Sequence, residues 1–428
     1  MPSLPPDPRL RDLDDALIRI IGDHFKANIN LLGIHLRDAR NMLHAVKKSD
    51  GFDRVFAKAV VILSGAALEA NLTYLSDLCL TIAKTKQGLY VQGQLDYLRG
   101  QEEYINDKGD IRTRPVKQRL EEKLKTVPTL LGRAMNRDYE FPKSVSAHRK
   151  LHETIAYRDA IAHPRWDRYA HSVGWYEAAQ AIDAVELYLH SITSQLHPYL
   201  AFYFVMLYTV PPGGHKDDVD IAYRTKGRKA PGRGFANMAD ISIGEIISRE
   251  WLEAQMLAEL AQTSECEGDS DGSMLTRAAL VLLYAMLDAQ LSVIAQAHLH
   301  SGKVDFEQAE VLFLTEIAVG VNTDGKITAT ESHQHFRQRV RGVPRLLARK
   351  VLGKEITVNL CDRHGEDLLS YKDLRDEVMH PRVGQEPPRV TKDQLRDAER
   401  AIRAYFAQLA LAAPELFGSY DVFLKAQK

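Results

Sequence analysis

Four blocks of this sequence recur in the same order, and this internal repeat constrains the fold more strongly than any other feature. The separation between the members of a pair stays between 216 and 220 residues, so one half of the chain aligns with the other. The pairs are LSGAALEANL (63–72) with LLYAMLDAQL (282–291), VPTLLGR (127–133) with VPRLLAR (343–349), YRDAIAHPR (157–165) with LRDEVMHPR (374–382), and AAQAIDA (178–184) with AERAIRA (398–404). The repeat predicts two copies of one structural unit.

Each copy has the pattern of a helical bundle. The first block of each copy is rich in alanine and leucine over more than three turns, and the last block has apolar residues at three- and four-residue spacing. Sustained period-two alternation between turns is not found, so strands are not expected. We predict an all-α fold with one bundle over 1–210, a linker or loop rich in glycine, proline and basic residues over 211–238, and a second bundle over 239–428.

The third pair carries the pattern Arg-Asp-x-x-x-His-Pro-Arg, whose side chains suit phosphodiester chemistry. Asp159 and His163 are four residues apart, as are Asp376 and His380, so on a helix each carboxylate can orient the imidazole. The following proline predicts that the helix ends there. Histidine can transfer protons near neutral pH, and arginine can stabilise a phosphoryl transition state.

The arginine and histidine of one motif need not converge on one atom. Arg158 and His163 are five residues apart, which is about 140° around an ideal helix. Two motif copies brought together would supply both groups to one phosphate. Because no carboxylate cluster or Cys/His metal set accompanies them, we expect chemistry without a metal or other cofactor.

Charge and cysteine content restrict the functional class. With 56 basic and 57 acidic residues the net charge is −1, so no global field attracts nucleic acid or an anionic membrane, and any RNA site must be local. Cys79, Cys266 and Cys361 are scattered, which favours a reducing cytoplasm. The N-terminus lacks the pattern of a secretory signal, and the longest apolar run, 198–210, is too short to span a bilayer. We expect a cytoplasmic protein without membrane contact.

The two Arg-Asp-x-x-x-His stretches, together with the preceding Ala/Leu-rich block that holds one acid, resemble HEPN (higher eukaryotes and prokaryotes nucleotide-binding) domains. The resemblance implies two tandem HEPN-like bundles packed as a pseudo-twofold dimer, with a composite site where the motifs meet. It also implies a metal-independent endoribonuclease that acts as a toxin or effector in microbial antiphage defence, leaving 2′,3′-cyclic phosphate ends. The catalytic set implied is Arg158, His163, Arg375 and His380.

Two acids have a functional and a structural interpretation. Glu69 and Asp288 lie within apolar runs, where an unpaired charge would be costly. Each either orients the motif arginine of its copy, Arg158 or Arg375, or pairs with another basic residue. We include both, with Asp159 and Asp376, as supporting residues.

Several basic residues are candidates for contact with RNA phosphates, and the alternative interpretation of each is a solvated surface residue. They comprise the last arginine of each motif, the last arginine of each VPxLLxR block and five residues of the linker: Arg165, Arg382, Arg133, Arg349, Arg224, Lys226, Arg228, Lys229 and Arg233.

The expected substrate is single-stranded RNA or tRNA. A ribonuclease that is toxic to its own cell needs restraint, so a regulatory or antitoxin protein is an expected partner; a homo-oligomer is left open. The alternative interpretation is a non-catalytic helical module that binds RNA, a nucleotide or a protein partner, and a third is a structural adaptor.

Overall fold

The computed structural model of the chain is mostly helical, as the repeat predicted. It describes residues 15–46, 53–105, 111–115, 118–141, 145–162, 173–196, 243–263, 273–321, 327–331, 335–380 and 388–418.

The chain divides into two compact units, each built from separate segments. Unit 1 comprises Met1–Arg158, Val173–Arg228 and Glu377–Pro388, and unit 2 comprises Asp159–Ser172, Lys229–Asp376 and Arg389–Lys428. The segment that follows Arg158 in the first motif, and the one that follows Asp376 in the second, therefore belong to the unit built mainly from the other half of the sequence. The domain boundaries predicted from the sequence, at 210 and 239, did not include this exchange of segments. Those two boundaries stay predictions because 197–242 lies outside the described residues.

Unit 1 is organised around one long apolar helix. Its elements are α1 (Asp15–Val46), α2 (Asp53–Thr85), α3 (Gln92–Arg99), β1 (Gln101–Ile105), β2 (Ile111–Pro115), α4 (Leu120–Ala134), α5 (Val145–Ala162), whose last residues belong to unit 2, and α6 (Trp175–Leu196). α2 packs against α1, α3, α4 and α6. Its residues are apolar on every face and almost all buried, as expected of a helix enclosed by others.

Unit 2 has the same order of elements. They are α7 (Ile243–Thr263), α8 (Ser273–His300), α9 (Gln308–Thr315), β3 (Ile317–Val321), β4 (Ile327–Glu331), α10 (Phe336–Leu352), α11 (Arg363–Met379), whose last residues belong to unit 1, α12 (Lys392–Ala412) and α13 (Pro414–Phe417). α8 is the central helix and packs against α7, α9, α10 and α12. The Ala/Leu-rich blocks thus form central helices, as predicted.

Two short antiparallel hairpins were not expected. β1 pairs with β2 from Gln101↔Pro115 to Ile105↔Ile111, and β3 pairs with β4 from Ile317↔Glu331 to Val321↔Ile327. Each hairpin stands between a short helix and the helix that contains the VPxLLxR block. The sequence showed few strand signals, and these two hairpins were missed because a five-residue strand is too short to show a sustained alternation.

Two helices are long and apolar enough to cross a membrane by composition alone. Within Arg54–Thr85 and Met274–His300, 94% and 100% of the apolar window is buried inside the protein. Such burial is that of a central bundle helix, whose apolar residues already contact protein.

Candidate active site

Unit 1 brings an arginine of the first motif and a histidine of the second motif onto one carboxylate. Arg158 Nη2 donates to Glu69 Oε2 at 2.9 Å, and His380 Nδ1 lies 2.9 Å from Glu69 Oε1. The arginine side chain is 8% exposed, the glutamate 16% and the histidine 31%. The three groups therefore form a mostly buried cluster whose histidine retains access to solvent.

The electrostatics of the cluster keep Glu69 ionised. Burial by itself raises the pKa of Glu69, but the charge and hydrogen bond of His380, followed by the charges of Arg158 and Lys123, lower the pKa to about 2. An ionised carboxylate can only accept hydrogen bonds, so Nδ1 of His380 carries the proton in this contact. When the imidazole is neutral, its lone pair is therefore on the other ring nitrogen, Nε2.

Gly65 makes room for the arginine. It lies on α2 one turn before Glu69, and a Cβ placed on it would be 2.7 Å from Arg158 Cγ. No side chain larger than hydrogen fits without moving the arginine. The residue that aligns with Gly65 in the second copy is Tyr284, whose hydroxyl donates to the Leu368 carbonyl at 2.6 Å. The two copies therefore surround their motif arginines differently.

His380 is oriented by Glu69 and not by the aspartate of its own motif. Helix α11 ends at Met379, so His380 is outside the helix and loses the four-residue register with Asp376. Asp376 instead pairs with Arg375 at 2.9 Å and with Lys372. Burial raises the pKa of Asp376, but Arg375 and Lys372 lower it overall. The expected contact between Asp376 and His380 is therefore not made, because the helix ends before the histidine and the proline that follows it.

The motif arginine of unit 2 is more deeply buried than that of unit 1. Arg375 is 2% exposed, donates from Nη1 to Asp376, and donates from Nη2 to the Ala162 carbonyl at 3.2 Å. Ala162 is the last residue of α5 and precedes His163 in the chain. His163 itself lies outside the described residues.

Asp288 is held by a basic residue of a different helix. Arg339 on α10 lies 3.4 Å from Asp288 Oδ1 and 3.0 Å from Glu316 Oε2, and it donates to Ser292 Oγ at 2.8 Å. The position aligned with Arg339 in the first copy is Lys123, which contributes to the low pKa of Glu69. The VPxLLxR helix thus supplies a cation to the acid of the central helix in both units.

Glu316 adopts a backbone conformation that is rare for a residue with a side chain. Its φ is 55°, whereas the aligned position in unit 1 is Gly100, with φ 65°. A non-glycine residue in the left-handed region carries a strain of about 1 kcal/mol or more. The ion pair of Glu316 with the buried guanidinium of Arg339 is an interaction that Gly100 could not make.

The remaining candidates for RNA contact fall into two groups. Arg133 donates to Gln94 Oε1 at 3.2 Å, and Arg349 pairs with Glu310 at 3.3 Å; both are exposed at the ends of their helices. Outside the described residues lie Arg165, Arg382, Arg224, Lys226, Arg228, Lys229 and Arg233. The described part of the chain holds no group of three or more His, Cys, Asp or Glu side chains arranged to bind a metal ion.

Compared with protein-family models, curated proteins and solved structures, the chain shows no significant match.

Sequence reasoning missed Lys123 and Gly65 as parts of this cluster. Gly65 gave a usable signal, because a glycine inside an Ala/Leu-rich helix has a packing reason. Lys123 could have been found by its alignment with Arg339 in the repeat. The cluster thus places the imidazole of His380, which is oriented by the Glu69 carboxylate, near the buried guanidinium of Arg158.

Proposed function

We propose that the chain is an endoribonuclease that needs no metal ion, whose active site in unit 1 is formed by His380 and Arg158 around Glu69. The observation that carries the proposal is the shared carboxylate, which receives an arginine from the first motif and a histidine from the second. Such convergence is what a composite site of two HEPN-like motifs requires. The tandem duplication and the pseudo-twofold arrangement of the copies remain part of the proposal.

His380 acts as the group that moves protons. With Nδ1–H donated to Glu69, Nε2 accepts the proton of an RNA 2′-OH as that oxygen attacks the adjacent phosphorus. As the bond from 2′-oxygen to phosphorus forms, the bond from phosphorus to the 5′-oxygen breaks, and that oxygen takes a proton from water, so the products end in a 2′,3′-cyclic phosphate and a 5′-OH. The ionised Glu69 stabilises the imidazolium that forms, because their opposite charges lie in a partly desolvated place.

Arg158 acts on the phosphate. Its guanidinium is held by Glu69 and enclosed by α2 and α5, so its position is fixed before the substrate binds. A preorganised cation stabilises negative charge as it develops on the phosphoryl oxygens. His163 of the first motif and Arg375 of the second motif are proposed to provide the other histidine and the other arginine of the catalytic set. The resemblance further suggests a toxin or effector of cytoplasmic defence, restrained by a protein partner.

A cleavage assay tests the proposal directly. Purified wild type, His380→Ala and the His163→Ala/His380→Ala double variant are incubated with total RNA and with tRNA in excess EDTA, and the cut ends are mapped. We expect cleavage by wild type with cyclic phosphate ends, and a loss of about 10²–10⁴-fold in His380→Ala, the usual effect of removing a general acid or base. His364→Ala, which changes an exposed histidine at the start of α11, is the control and should cleave as wild type does.

The alternative of a non-catalytic binding module is favoured by one observation. Arg375 is 2% exposed and donates from its two Nη atoms to Asp376 and to a backbone carbonyl, as a structural arginine does. If wild type shifts RNA on a gel but leaves it intact in every condition tried, and the histidine variants bind equally well, the binding module replaces the ribonuclease.

A further inference from the structure

Unit 2 contains an open cleft lined by arginines that the proposed active site does not use. The cleft has a volume of about 860 Å³ and lies along α10. Arg337, Arg341 and Arg345 line it at four-residue spacing, which places all three on one face of the helix. His335, before the first turn, and Phe313, from α9, complete its lining.

The positive charge of these arginines is poorly neutralised by the described residues. Arg337 makes no ion pair within them, and the contact of Arg341 is to the sulfur of Cys361 at 3.8 Å. Arg345 lies 3.9 Å from Glu355, with both side chains more than half exposed, and such pairs contribute little. The Nε of Arg341 is buried without a hydrogen-bond partner. The cleft therefore offers guanidinium groups whose donors remain available.

The position of Arg337 opposes the electrostatics of its own helix. α10 begins at Phe336, has no acidic residue in its first turn and carries Arg337 there, although the amino end of a helix favours negative charge. α4, which occupies the aligned place in unit 1, has Glu121 and Glu122 in its first turn. A helix of this type can thus form with acidic residues in its first turn, so a basic residue at position 337 is not required by the fold. A bound anion would remove the conflict.

The cleft is also specific to unit 2. The residues aligned with Arg337, Arg341 and Arg345 are Glu121, Lys125 and Thr129, so unit 1 retains one cation of the three. Gly342 adds to the difference, because a Cβ there would lie 2.6 Å from Phe313 Cζ. The absence of a side chain at 342 lets the phenyl ring rest against the helix beside the arginines. Its aligned residue is Thr126.

We propose that this cleft binds the phosphate backbone of an RNA strand, holding the substrate of the ribonuclease at a place separate from the cleaved bond. The nature of the occupant rests on the proposed function. Residues four apart on a helix are separated by about 6 Å along its axis, so three arginines form a row that can follow successive phosphates. Arginine forks donate in pairs to phosphate oxygens, and Phe313 lends an aromatic surface beside the row.

The test measures binding without cleavage. A fluorescent single-stranded 2′-O-methyl RNA, which lacks the attacking hydroxyl, is titrated with full-length wild type and with Arg337→Gln/Arg341→Gln/Arg345→Gln over a series of salt concentrations. We expect the Kd to rise by roughly 10- to 100-fold and the slope of log Kd against log salt to fall by about 2, as loss of three phosphate contacts to a single strand implies. The control Arg363→Gln/Arg396→Gln/Arg400→Gln removes the same charge from exposed positions of unit 2 that pair with aspartates, and should bind as wild type does.

Each outcome decides the proposal. Equal weakening by both triple variants indicates a general charge effect and overturns it, as does unchanged binding by the cleft variant. An Arg→Lys triple variant, which preserves charge, should retain most of the salt slope. If its circular dichroism matches that of wild type and the slope is nevertheless lost, the proposal is overturned. Cleavage of ordinary RNA is measured separately. A protein that binds RNA through the cleft but never cleaves it would therefore overturn the proposed ribonuclease activity and support the proposed binding site. A wild type that does not bind the probe rejects the cleft even if cleavage is observed.

Discussion

Glu69 connects two residues that are distant in sequence and holds both side chains in place. Its carboxylate accepts from Arg158 and His380, and because its pKa is about 2 it stays charged throughout the physiological range. In the folded protein this pKa is below the ordinary value, so the charged carboxylate contributes stability that is complete above about pH 4.5 and is lost as the pH falls towards 2.

Replacing this carboxylate should therefore have a pH-dependent cost. Glu69→Gln removes the charged carboxylate that pairs with the buried Arg158, and we expect the free energy of unfolding at pH 7 to fall by about 3 kcal/mol. The difference from wild type should shrink between pH 4.5 and 2, as urea unfolding at a series of pH values would measure. Glu355→Gln, at an exposed position, serves as the control and should change stability by less than about 0.5 kcal/mol. A difference that stays constant to pH 2 would contradict the assigned pKa.

Gly65 is the second residue at which a small change should have a large effect. Gly65→Ala would normally favour a helix by about 1 kcal/mol, but here the methyl group meets Arg158 Cγ at 2.7 Å. We expect a net loss of about 1–3 kcal/mol from overpacking and a fall in RNA cleavage as the guanidinium moves. Gly93→Ala is the matched control, because nothing lies within 4 Å of its added Cβ and it should stabilise α3. A Gly65→Ala variant as stable and active as wild type would show that the arginine has room to shift.

At the scale of elements, the features that could be predicted from the sequence are those that a local residue pattern determines. The Ala/Leu-rich blocks form the central helices α2 and α8, and the pairing of Glu69 with Arg158 was one of two interpretations of a charge in an apolar run. The hairpins were missed, although Asp324-Gly325 is a turn signal between the two strands of the second. The contact of Glu69 with His380 could not be predicted, because no local pattern relates residues more than 300 positions apart.

The charge pattern of α10 predicts an opposition between stability and binding. Arg337→Glu places an acid in the first turn, where it suits the helix dipole, so the free energy of unfolding should rise by about 0.3–1 kcal/mol. RNA binding should weaken more than in Arg337→Gln, because a negative charge repels phosphate. Thermal unfolding and anisotropy titration of the same protein samples would measure both. A variant that loses both stability and affinity would indicate that Arg337 has a structural role.

At the scale of the whole molecule, each unit depends on a segment from the opposite half of the sequence. Unit 1 contains Glu377–Pro388 and unit 2 contains Asp159–Ser172. Cutting the chain between the predicted bundles therefore does not yield two complete units. His380, which pairs with Glu69, would be on the second fragment, whereas Glu69 would be on the first.

Fragments should reveal this dependence. We expect a 1–210 fragment to be inactive on RNA and less stable than the same residues within the full chain, because His380 is missing beside Glu69. Mixing it with a 239–428 fragment should restore cleavage, which a tRNA assay and co-elution on gel filtration would detect. Restoration should fail when the second fragment carries His380→Ala. Full activity of the 1–210 fragment alone would mean that His380 is not part of the active site.

The position of His380 also affects when the protein acquires its activity. During synthesis at about 5–20 residues per second, His380 is added roughly 10–40 seconds after Arg158. Until then the unit 1 cluster lacks its proton-transferring group, whatever has already folded. If the proposed function holds, a ribosome making this chain carries an incomplete nuclease until His380 has been added, and the RNA nearest to the nascent protein does not meet the complete site before that point.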